Sequence, residues 1–250
     1  MANDRVAVFI TNYNMPERAD ALYEFIERKT AWPTDIYLVD NASDLVPPAV
    51  NTNVWILGHN KQTTAGWLEG LSAARKQGEY FAYAFLITSA DFDAAQGDPI
   101  TPMVEPLQLN SNMVGIHAAL TSDSTTSWTH LITRGEIGIR RTWMLDNIYS
   151  MYRADWFDSI GGFDPQLRYA WGIDLETCWK ARQQGKELYV CEDVKIRKVT
   201  DIAYQLDRMR MSADERRKLA GDNMAFHLSQ KYGDAWWDRM TNEFVDNAWR

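Results

Sequence analysis

Two acidic residues follow the fourth of the predicted strands, in the stretch Ser89-Ala-Asp-Phe-Asp93. Because Asp91 and Asp93 lie two positions apart, a loop can bring both carboxylates to one cation. A hard divalent ion such as Mg²⁺ or Mn²⁺ prefers oxygen ligands and shares them with substrate phosphates. We therefore predict that both residues bind a metal ion, with Asp91 the stronger candidate because it follows the apolar strand directly. A solvated loop with Asx turns is the alternative, and Asp93 has the further alternative of capping the next turn.

A second set of polar residues follows the first two predicted strands, in Thr11-Asn-Tyr-Asn14 and Asp40-Asn-Ala-Ser43. Ligands of open α/β sheets bind beyond the carboxyl ends of the strands, so both stretches are candidates for a nucleotide pocket. Asp40 can accept hydrogen bonds from a ribose or a base, and an Asx turn or a helix cap is an equal alternative. No Gly-x-Gly-x-x-Gly sequence follows the first strand, which argues against a dehydrogenase.

A third candidate is the acidic helix start between Arg153 and Gly185. The sequence Trp171-Gly-Ile-Asp-Leu-Glu176 leads into a helix that we predict over residues 175–184. Asp174 directly precedes this helix, and Asp is a favoured N-cap residue. A purely structural cap is therefore one interpretation of Asp174.

Apolar runs and amphipathic stretches alternate along the first hundred residues. The predicted strands are 6–11, 36–39, 54–57 and 80–88, and the predicted helices are 19–28 and 65–76. Continuous apolar runs of this kind suit parallel strands that are buried on both faces. The alternation is typical of a nucleotide-binding α/β fold.

Fewer elements are evident in the remainder of the chain. The proline-containing segment 97–106 is predicted to be a loop. The further predicted strands are 113–120, 188–191 and 194–199, and the further predicted helices are 155–160, 224–232, 236–247 and one that starts at Ser212. Since no repeat or linker interrupts this pattern, we predict one domain over residues 1–250.

The composition is that of a globular protein with a sizeable core, with 250 residues that are 46% hydrophobic and 24% charged. No apolar run is long enough to span a membrane and no signal peptide is visible, so a cytoplasmic location is expected. Cys178 and Cys191 do not form a Cys-x-x-Cys pair, which is typical of a reduced compartment. The net charge of −8 argues against a nucleic-acid partner. The eleven Trp residues indicate either aromatic packing or sugar stacking.

Several of these stretches together resemble the inverting GT-A glycosyltransferases of family 2, in particular the rhamnosyl- and galactofuranosyltransferase-like members. The stretches that carry the resemblance are Val6–Asn14, Tyr37–Ser43, Asn60–Trp67 with Gly70, and the Arg153–Gly185 block. The chain departs from those members at Gln62 and Thr63, where they have glycines. The resemblance spans about Val6 to Arg197.

This resemblance implies a GT-A fold, which is an α/β fold with a mixed, mainly parallel nucleotide-binding sheet, flanking helices and C-terminal helices. It further implies a nucleotide-sugar-binding half over residues 1–95, an acceptor-binding half over 96–200 and a helical extension over 201–250. The activity implied is transfer of a sugar, of the hexosyl class, from a nucleoside-diphosphate sugar to a hydroxyl group, with Mn²⁺ or Mg²⁺ as cofactor. The acceptor would be a glycan or another hydroxyl compound.

The resemblance also assigns roles to individual residues. Asp174 would be the general base, with Glu176 as a nearby acid that shares the catalytic or acceptor-binding role. The other implied acceptor-side residues are Trp171 and Gly172. The implied donor-binding residues are Thr11, Asn12, Tyr13, Asn14, Asp40, Asn41, Asn60, Gly66 and Asp91, and the implied metal ligands are Asp91 and Asp93.

Three alternatives are left open by the sequence. Many GT-A enzymes supply a late His to the metal, but Val194–Val199 contains none, and Arg197 or Lys198 is a candidate for contact with the diphosphate instead. A nucleotidyltransferase shares the α/β architecture but is expected to have a basic, glycine-rich loop after the first strand, where this chain has Asn12-Tyr-Asn14. The third alternative is a sugar-binding module without turnover, against which the retained acidic residues speak.

Overall fold

Nine strands form one sheet in the computed structural model, which describes residues 4–199 and 207–241. In chain order they are β1 (Val6–Asn12), β2 (Thr34–Asn41), β3 (Val54–Ile56), β4 (Ala82–Ile87), β5 (Ala90–Phe92), β6 (Met113–Leu120), β7 (Ile139–Thr142), β8 (Tyr149–Arg153) and β9 (Glu187–Lys198). Their order across the sheet is β3-β2-β1-β4-β8-β6-β9-β5, and β7 also pairs with β9. Six of these described strands run in one direction, while β5, β7 and β8 run against them. The mixed, mainly parallel sheet predicted from the sequence is confirmed.

Helices pack on both faces of the sheet. They are α1 (Pro16–Lys29), α2 (Thr63–Gln77), α3 (Thr101–Leu109), α4 (Ala154–Ser159), α5 (Ile173–Gln183), α6 (Ala213–Tyr232) and α7 (Trp236–Thr241). Helices α1 and α3 contribute to one hydrophobic core, and α2, α4, α5, α6 and α7 contribute to the other. The flanking and C-terminal helices are therefore confirmed, whereas residues 242–247 of the last predicted helix lie outside the described residues.

Strand β1 lies between β2 and β4 and is parallel to both. All seven of its residues are buried, because successive side chains point to opposite faces and each face is covered. Val6, Val8 and Ile10 enter one core, while Ala7 and Phe9 enter the other. This burial on both faces is the physical reason for the unbroken apolar run in the sequence.

Helix α2 packs unusually close to β1 because it has glycines one turn apart. A Cβ atom at Gly66 would lie 2.3 Å from Thr11 Cγ2, and one at Gly70 would lie 2.9 Å from Phe9 Cδ1. Gly66, which the resemblance placed among the donor-binding residues, is thus buried against a strand in this structure. The close packing sets the N-terminus of α2 beside the carboxyl end of β1.

The prediction of a loop over residues 97–106 is wrong, since α3 begins at Thr101. Pro102 lies in the first turn, where a missing backbone N–H costs no helical hydrogen bond. Pro106 lies inside the helix and cannot bond the carbonyl of Pro102, but the thiol of Cys191 donates to that carbonyl at 3.5 Å. Burial of apolar side chains such as Val104 then outweighs the unfavourable proline.

Strand β9 is one long strand where the sequence predicted two. Residues 188–191 pair with β7, and residues 196–198 pair with β5 on the same side of the strand. The continuous strand brings Lys198 to the carboxyl edge of the sheet.

Among the described residues, no helix combines the length and the apolarity that crossing a membrane requires.

We expect Gly66→Ala to lower the free energy of unfolding by about 1–3 kcal/mol, because the added methyl group overlaps Thr11 and the helix must shift. Gly221→Ala in α6 is the matched control, since its Cβ would meet nothing closer than 3.9 Å. This control should stabilise the protein by about 0.5–1 kcal/mol through helix propensity. Urea unfolding followed by circular dichroism measures both, and equal effects of the two variants would contradict the close packing of α2.

Candidate functional site

A cavity of about 450 Å³ opens at the carboxyl ends of the strands that run in the main direction. Thr11 and Asn41 line it at or near the ends of β1 and β2, Ser89 follows β4, and Lys198 ends β9. Ligand sites of open α/β sheets occupy this position, because all these strands end at the same edge. The cavity is therefore the candidate functional site.

The opposite wall of the cavity comes from the second half of the chain. Asp146 and Asn147 line it from the loop between β7 and β8, Trp171 and Gly172 from the loop before α5, and Asp174 from the first turn of α5. The two halves are tied together at Thr64, whose hydroxyl donates to the carbonyl of Leu167 and accepts from the backbone N–H of Ala170. The cavity thus lies between residues of the first hundred positions and residues of the second half of the chain.

Four of the predicted donor-binding residues line the cavity, namely Thr11, Tyr13, Asn41 and Asn60. The side-chain amide of Asn41 donates to the Asn60 side-chain oxygen at 3.0 Å, so the loop after β3 is held against the end of β2. The Tyr13 hydroxyl donates to Asp44 at 3.2 Å. An aromatic ring beside two amide side chains is a chemically suitable surface for a nucleobase.

Three other predicted donor-binding residues build the loops and do not line the cavity. The Asp40 carboxylate accepts from the amide of Asn12 and from both the backbone N–H and the hydroxyl of Ser43, at 2.6–3.1 Å. Asn14 has a positive φ of 57° and accepts from the backbone N–H of Asp44. The Asx-turn interpretation of Asp40 therefore fits this arrangement better than a direct contact with a nucleoside.

The predicted metal ligands Asp91 and Asp93 also lie away from the cavity lining. The guanidinium of Arg18 donates to one oxygen of Asp91 at 2.5 Å, and that of Arg197 donates to the other at 3.0 Å. Asp93 is exposed and accepts from the backbone N–H of Ala95, as a turn cap does. Two guanidinium groups on one carboxylate oppose the approach of a cation, so the residues predicted to hold Mn²⁺ or Mg²⁺ do not fit that role.

Neutral hydroxyl groups line the cavity directly after β4, at Thr88 and Ser89. Within residues 4–199 and 207–241, no group of three His, Cys, Asp or Glu side chains is arranged to hold a metal ion. The carboxylates that do line the cavity are Asp146 and Asp174, and Lys198 Nζ lies 3.6 Å from Asp146 Oδ2. Oxygen ligands for a divalent ion are thus sparse, and a lysine lies among them.

Asp174 is the second residue of α5 and lines the cavity while only 8% exposed. The helix is capped by Gly172, whose φ of 87° an L side chain rarely adopts, so Asp174 is not the N-cap that the sequence suggested. One oxygen of its carboxylate accepts from the backbone N–H of Leu175 at 2.8 Å. A carboxylate that is not used to cap the helix is available for chemistry in the cavity.

Burial, and after it the negative charge of Asp146, raise the pKa of Asp174 to about 7. Backbone hydrogen bonds and the positive charge of Lys198 act in the opposite direction. A carboxyl group that titrates near neutral pH can take a proton and release it again under physiological conditions. This is the property that a general base requires.

Glu176 does not line the cavity and is 1% exposed. Its carboxylate accepts from Lys231 and from the hydroxyl of Tyr232, both at 2.5 Å, and lies 3.5 Å from Lys180. These contacts fasten α6 to α5. The position therefore does not fit the catalytic or acceptor-binding role that the sequence assigned to Glu176.

Aromatic side chains line the part of the cavity near α5 and α6. Trp171 lines it and is 44% exposed, as is expected of a ring that stacks on a ligand. Trp128, Tyr169 and Trp237 line it as well. Gly172 allows α6 to approach, because a Cβ there would lie 2.8 Å from Met224 Cγ. Both predicted acceptor-side residues thus lie at the cavity.

Arg216 of α6 is a cavity residue that the sequence analysis missed. Its guanidinium donates to the side chains of Gln62 and Thr63 and to the carbonyl of Tyr169, at 3.1–3.3 Å, and stacks over the Tyr169 ring at 4.7 Å. Arg216 thereby bridges the two walls of the cavity. Nothing in its local sequence distinguishes it from other surface arginines of a charged helix.

Some of the unusual backbone angles and unpartnered polar atoms of the described residues lie at the cavity. Gln62 and Ala170 line it with positive φ angles of 73° and 65°, which non-glycine residues rarely adopt. Thr11, Trp67 and Asn147 line it and each has a buried polar atom without a hydrogen-bond partner among the described residues. Such features are uncommon in structural cores and typical of ligand sites.

No model of a known protein family matches the chain, and no curated protein matches its sequence. Similar solved structures number 177 chains. The structure of GalNAc-T7 with UDP, GalNAc and Mn²⁺ has a TM-score of 0.59 and 10% identity, with 92% of this chain and 58% of that chain covered. The mannosyltransferase PcManGT from Pyrobaculum calidifontis, in complex with GDP-Man and Mn²⁺, has a TM-score of 0.60 and 12% identity, with 97% and 75% covered.

At these identities the likeness establishes the fold, which is that of the GT-A glycosyltransferases. The fold that the sequence resemblance implied is therefore confirmed. Membership of family 2 and the rhamnosyl or galactofuranosyl subtype stay predictions. The chain spans little more than half the length of GalNAc-T7.

We expect Asp146→Asn to lower the pKa of Asp174 from about 7 towards its ordinary value, because the substitution removes a neighbouring negative charge and leaves Lys198 in place. The ¹³C chemical shift of the Asp174 carboxyl carbon, followed against pH, measures this. Asp158→Asn is the control, since Asp158 pairs with Arg75 away from the cavity. An unchanged midpoint in Asp146→Asn would contradict the proposed coupling.

Proposed function

We propose that this protein is an inverting glycosyltransferase that moves a sugar from a nucleoside-diphosphate sugar to a hydroxyl group, with a glycan as the preferred class of acceptor. The observation that carries the proposal is the position of Asp174. In a GT-A fold, this buried carboxyl group with a pKa near 7 lines the cavity at the carboxyl edge of the sheet. Exposed aromatic rings suited to sugar stacking stand beside it.

In the proposed reaction, the acceptor hydroxyl oxygen attacks the anomeric carbon of the donor sugar while the Asp174 carboxylate removes its proton. The bond from that carbon to the phosphate oxygen breaks, and its electron pair leaves with the nucleoside diphosphate. The proton then passes from Asp174 to solvent. One displacement inverts the anomeric centre, so the mechanism requires no enzyme nucleophile. Cys178 is consistent with a reaction that uses no enzyme nucleophile. Burial raises the pKa of its thiol to about 12, which keeps the thiol un-ionised.

The remaining cavity residues support binding in this proposal. Tyr13, Asn41 and Asn60 would hold the nucleoside, and Trp171 would pack against the acceptor. The predicted Mn²⁺ or Mg²⁺ requirement stays a prediction. We assign no step to a metal, because the surroundings of Asp91 and Asp93 do not fit a cation site.

The rival functions differ from this one in their products. A nucleotidyltransferase would form a nucleotide bond and release pyrophosphate, and a sugar-binding module would release nothing. Incubation with a panel of UDP-, GDP- and dTDP-sugars and a mixture of glycan acceptors, with chromatography of the nucleotides, separates the three. We expect acceptor-dependent release of a nucleoside diphosphate. Release of pyrophosphate from a nucleoside triphosphate, or binding without any release, would contradict the proposal.

Asp174→Asn should lower kcat by roughly 10²-fold or more, because Asn keeps the size of the side chain and cannot accept a proton as a base. Folding should be preserved, since Gly172 and not Asp174 is the N-cap. Glu176→Gln is the contrasting variant. It should lower the free energy of unfolding by roughly 1–3 kcal/mol through its contacts with α6, with kcat per folded molecule retained. Loss of kcat in Glu176→Gln with kcat retained in Asp174→Asn would instead assign the general base to Glu176.

The pH dependence follows from the raised pKa of Asp174. Since the base acts in its ionised form, kcat/KM should fall as the pH is lowered through about 7. Stability should respond in the opposite sense. A carboxyl whose folded pKa is raised contributes stability below its unfolded pKa of about 4 and loses it as the pH rises through about 7. Asp174→Asn should therefore gain stability relative to the parent protein across that range, which thermal melts at pH 4, 6 and 8 measure, and a constant difference would contradict the assignment.

A further inference from the structure

We propose that Thr11, Trp67 and Asn147 bind the transferred sugar by donating hydrogen bonds to its oxygen atoms. This inference rests on the proposed function and deepens it. All three residues line the cavity, and each has a buried polar atom without a hydrogen-bond partner among the described residues, namely Thr11 Oγ1, Trp67 Nε1 and Asn147 Nδ2. A buried donor without a partner is unfavourable in free energy, and a ligand that accepts its hydrogen bond removes this penalty.

Trp67 is the clearest donor of the three. Its indole N–H can only donate a hydrogen bond, so no change of rotamer or tautomer turns it into an acceptor. The side chain is 1% exposed, and its ring packs against Phe85 of β4 and Phe163 at centroid distances of 5.8 and 6.0 Å. The N–H is therefore held in place beside the cavity, and a fixed donor of this kind selects for an oxygen at one position of a ligand.

The direction of the Asn147 amide is set by two hydroxyl groups. Ser150 and Tyr152 donate to the Asn147 side-chain oxygen at 2.6 and 3.2 Å. Two hydrogen bonds use both lone pairs of that oxygen, and the NH₂ group is the part of the amide that has no partner. Asn147 thus offers N–H donors, and no acceptor, to a ligand in the cavity.

The three donors lie between the residues proposed to hold the nucleoside and the proposed base. Thr11 of β1 pairs in register with Ile87 of β4, and the backbone N–H of Ile87 donates to the carbonyl of Ile148, next to Asn147. The amide residues proposed for the nucleoside lie at and beside the end of β2, on the other side of β1. Asp174 lies on the Asn147 side, since the charge of the residue before Asn147 acts on it.

This order along the edge of the sheet matches the order of the reacting groups. In an inverting displacement the transferred sugar lies between the nucleoside diphosphate and the acceptor hydroxyl, because the attack is opposite the leaving group. A sugar in that position presents several hydroxyl and ring oxygens, all of which can accept hydrogen bonds. The unpartnered N–H and O–H groups are therefore suited to the sugar of the donor.

The chain itself offers matched controls for this inference. Trp179 Nε1 and Thr52 Oγ1 are also buried without a hydrogen-bond partner among the described residues, but neither residue lines the cavity. Each control has the same side chain and the same unpartnered atom as the residue that it is compared with. A difference in ligand binding between the members of a pair then reflects their position.

The test is isothermal titration of UDP-glucose, GDP-mannose and dTDP-glucose, and of the matching UDP, GDP and dTDP, into the purified chain with MnCl₂ present throughout. Trp67→Phe and Thr11→Val each remove the donor and keep most of the side-chain shape. Each should weaken the Kd of the tightest-binding sugar nucleotide by about three- to tenfold, as loss of one hydrogen bond predicts. The Kd of the matching diphosphate should not change.

Trp179→Phe and Thr52→Val should leave both Kd values at the level of the parent protein, and thermal melting checks that every variant is folded. If Trp67→Phe does not fold, the nearly isosteric Thr11→Val decides the outcome alone. An unchanged Kd of the sugar nucleotide in the variants, or equal weakening of the sugar nucleotide and its diphosphate, overturns this inference and leaves the glycosyltransferase proposal standing. Failure of the parent protein to bind any of the three sugar nucleotides overturns both.

Discussion

The site depends on one geometric constraint, which is that strands running in the same direction end at the same edge of the sheet. Polar residues that follow β1, β2, β4 and β9 are distant in sequence, and the edge alone brings them together around one cavity. The glycines of α2 make the constraint effective, because they let the helix lie directly on β1 with its N-terminus at the cavity. The other residues of the site lie on the opposite wall of the cavity, which the second half of the chain forms.

The charges around Asp174, on the opposite wall of the cavity, affect both the stability of the fold and the chemistry of the site. Burial of the Asp174 carboxyl group next to Asp146 makes its ionised form unfavourable in free energy. This unfavourable free energy of ionisation is the reason for the raised pKa. Lys198 limits the cost through its own charge, and the first turn of α5 contributes backbone N–H groups. The strain in Gln62 and Ala170 belongs to the same pattern, in which a fold accepts local cost where a ligand is to be bound.

The sequence patterns predicted those features of the fold and the site that depend on residues close together in the sequence. The apolar run of β1 predicted a buried parallel strand, and Trp171 and Gly172, which the resemblance assigned to the acceptor side, line the cavity. Contacts between residues that are distant in sequence could not be predicted in this way. Asp91 pairs with arginines 73 and 106 positions away, and Glu176 pairs with Lys231, which is 55 positions away. An acidic residue has the same local sequence signature whether its partner is a metal ion, a proton or an arginine.

The stereochemistry of the product tests the central claim most directly, because only direct attack assisted by a general base inverts the anomeric carbon in one step. An α-linked nucleoside-diphosphate sugar that the protein accepts as donor should be followed by ¹H NMR from the start of the reaction. The account predicts that the first product signal is that of the β-anomer. A first product with the α configuration would show retention and contradict the role assigned to Asp174.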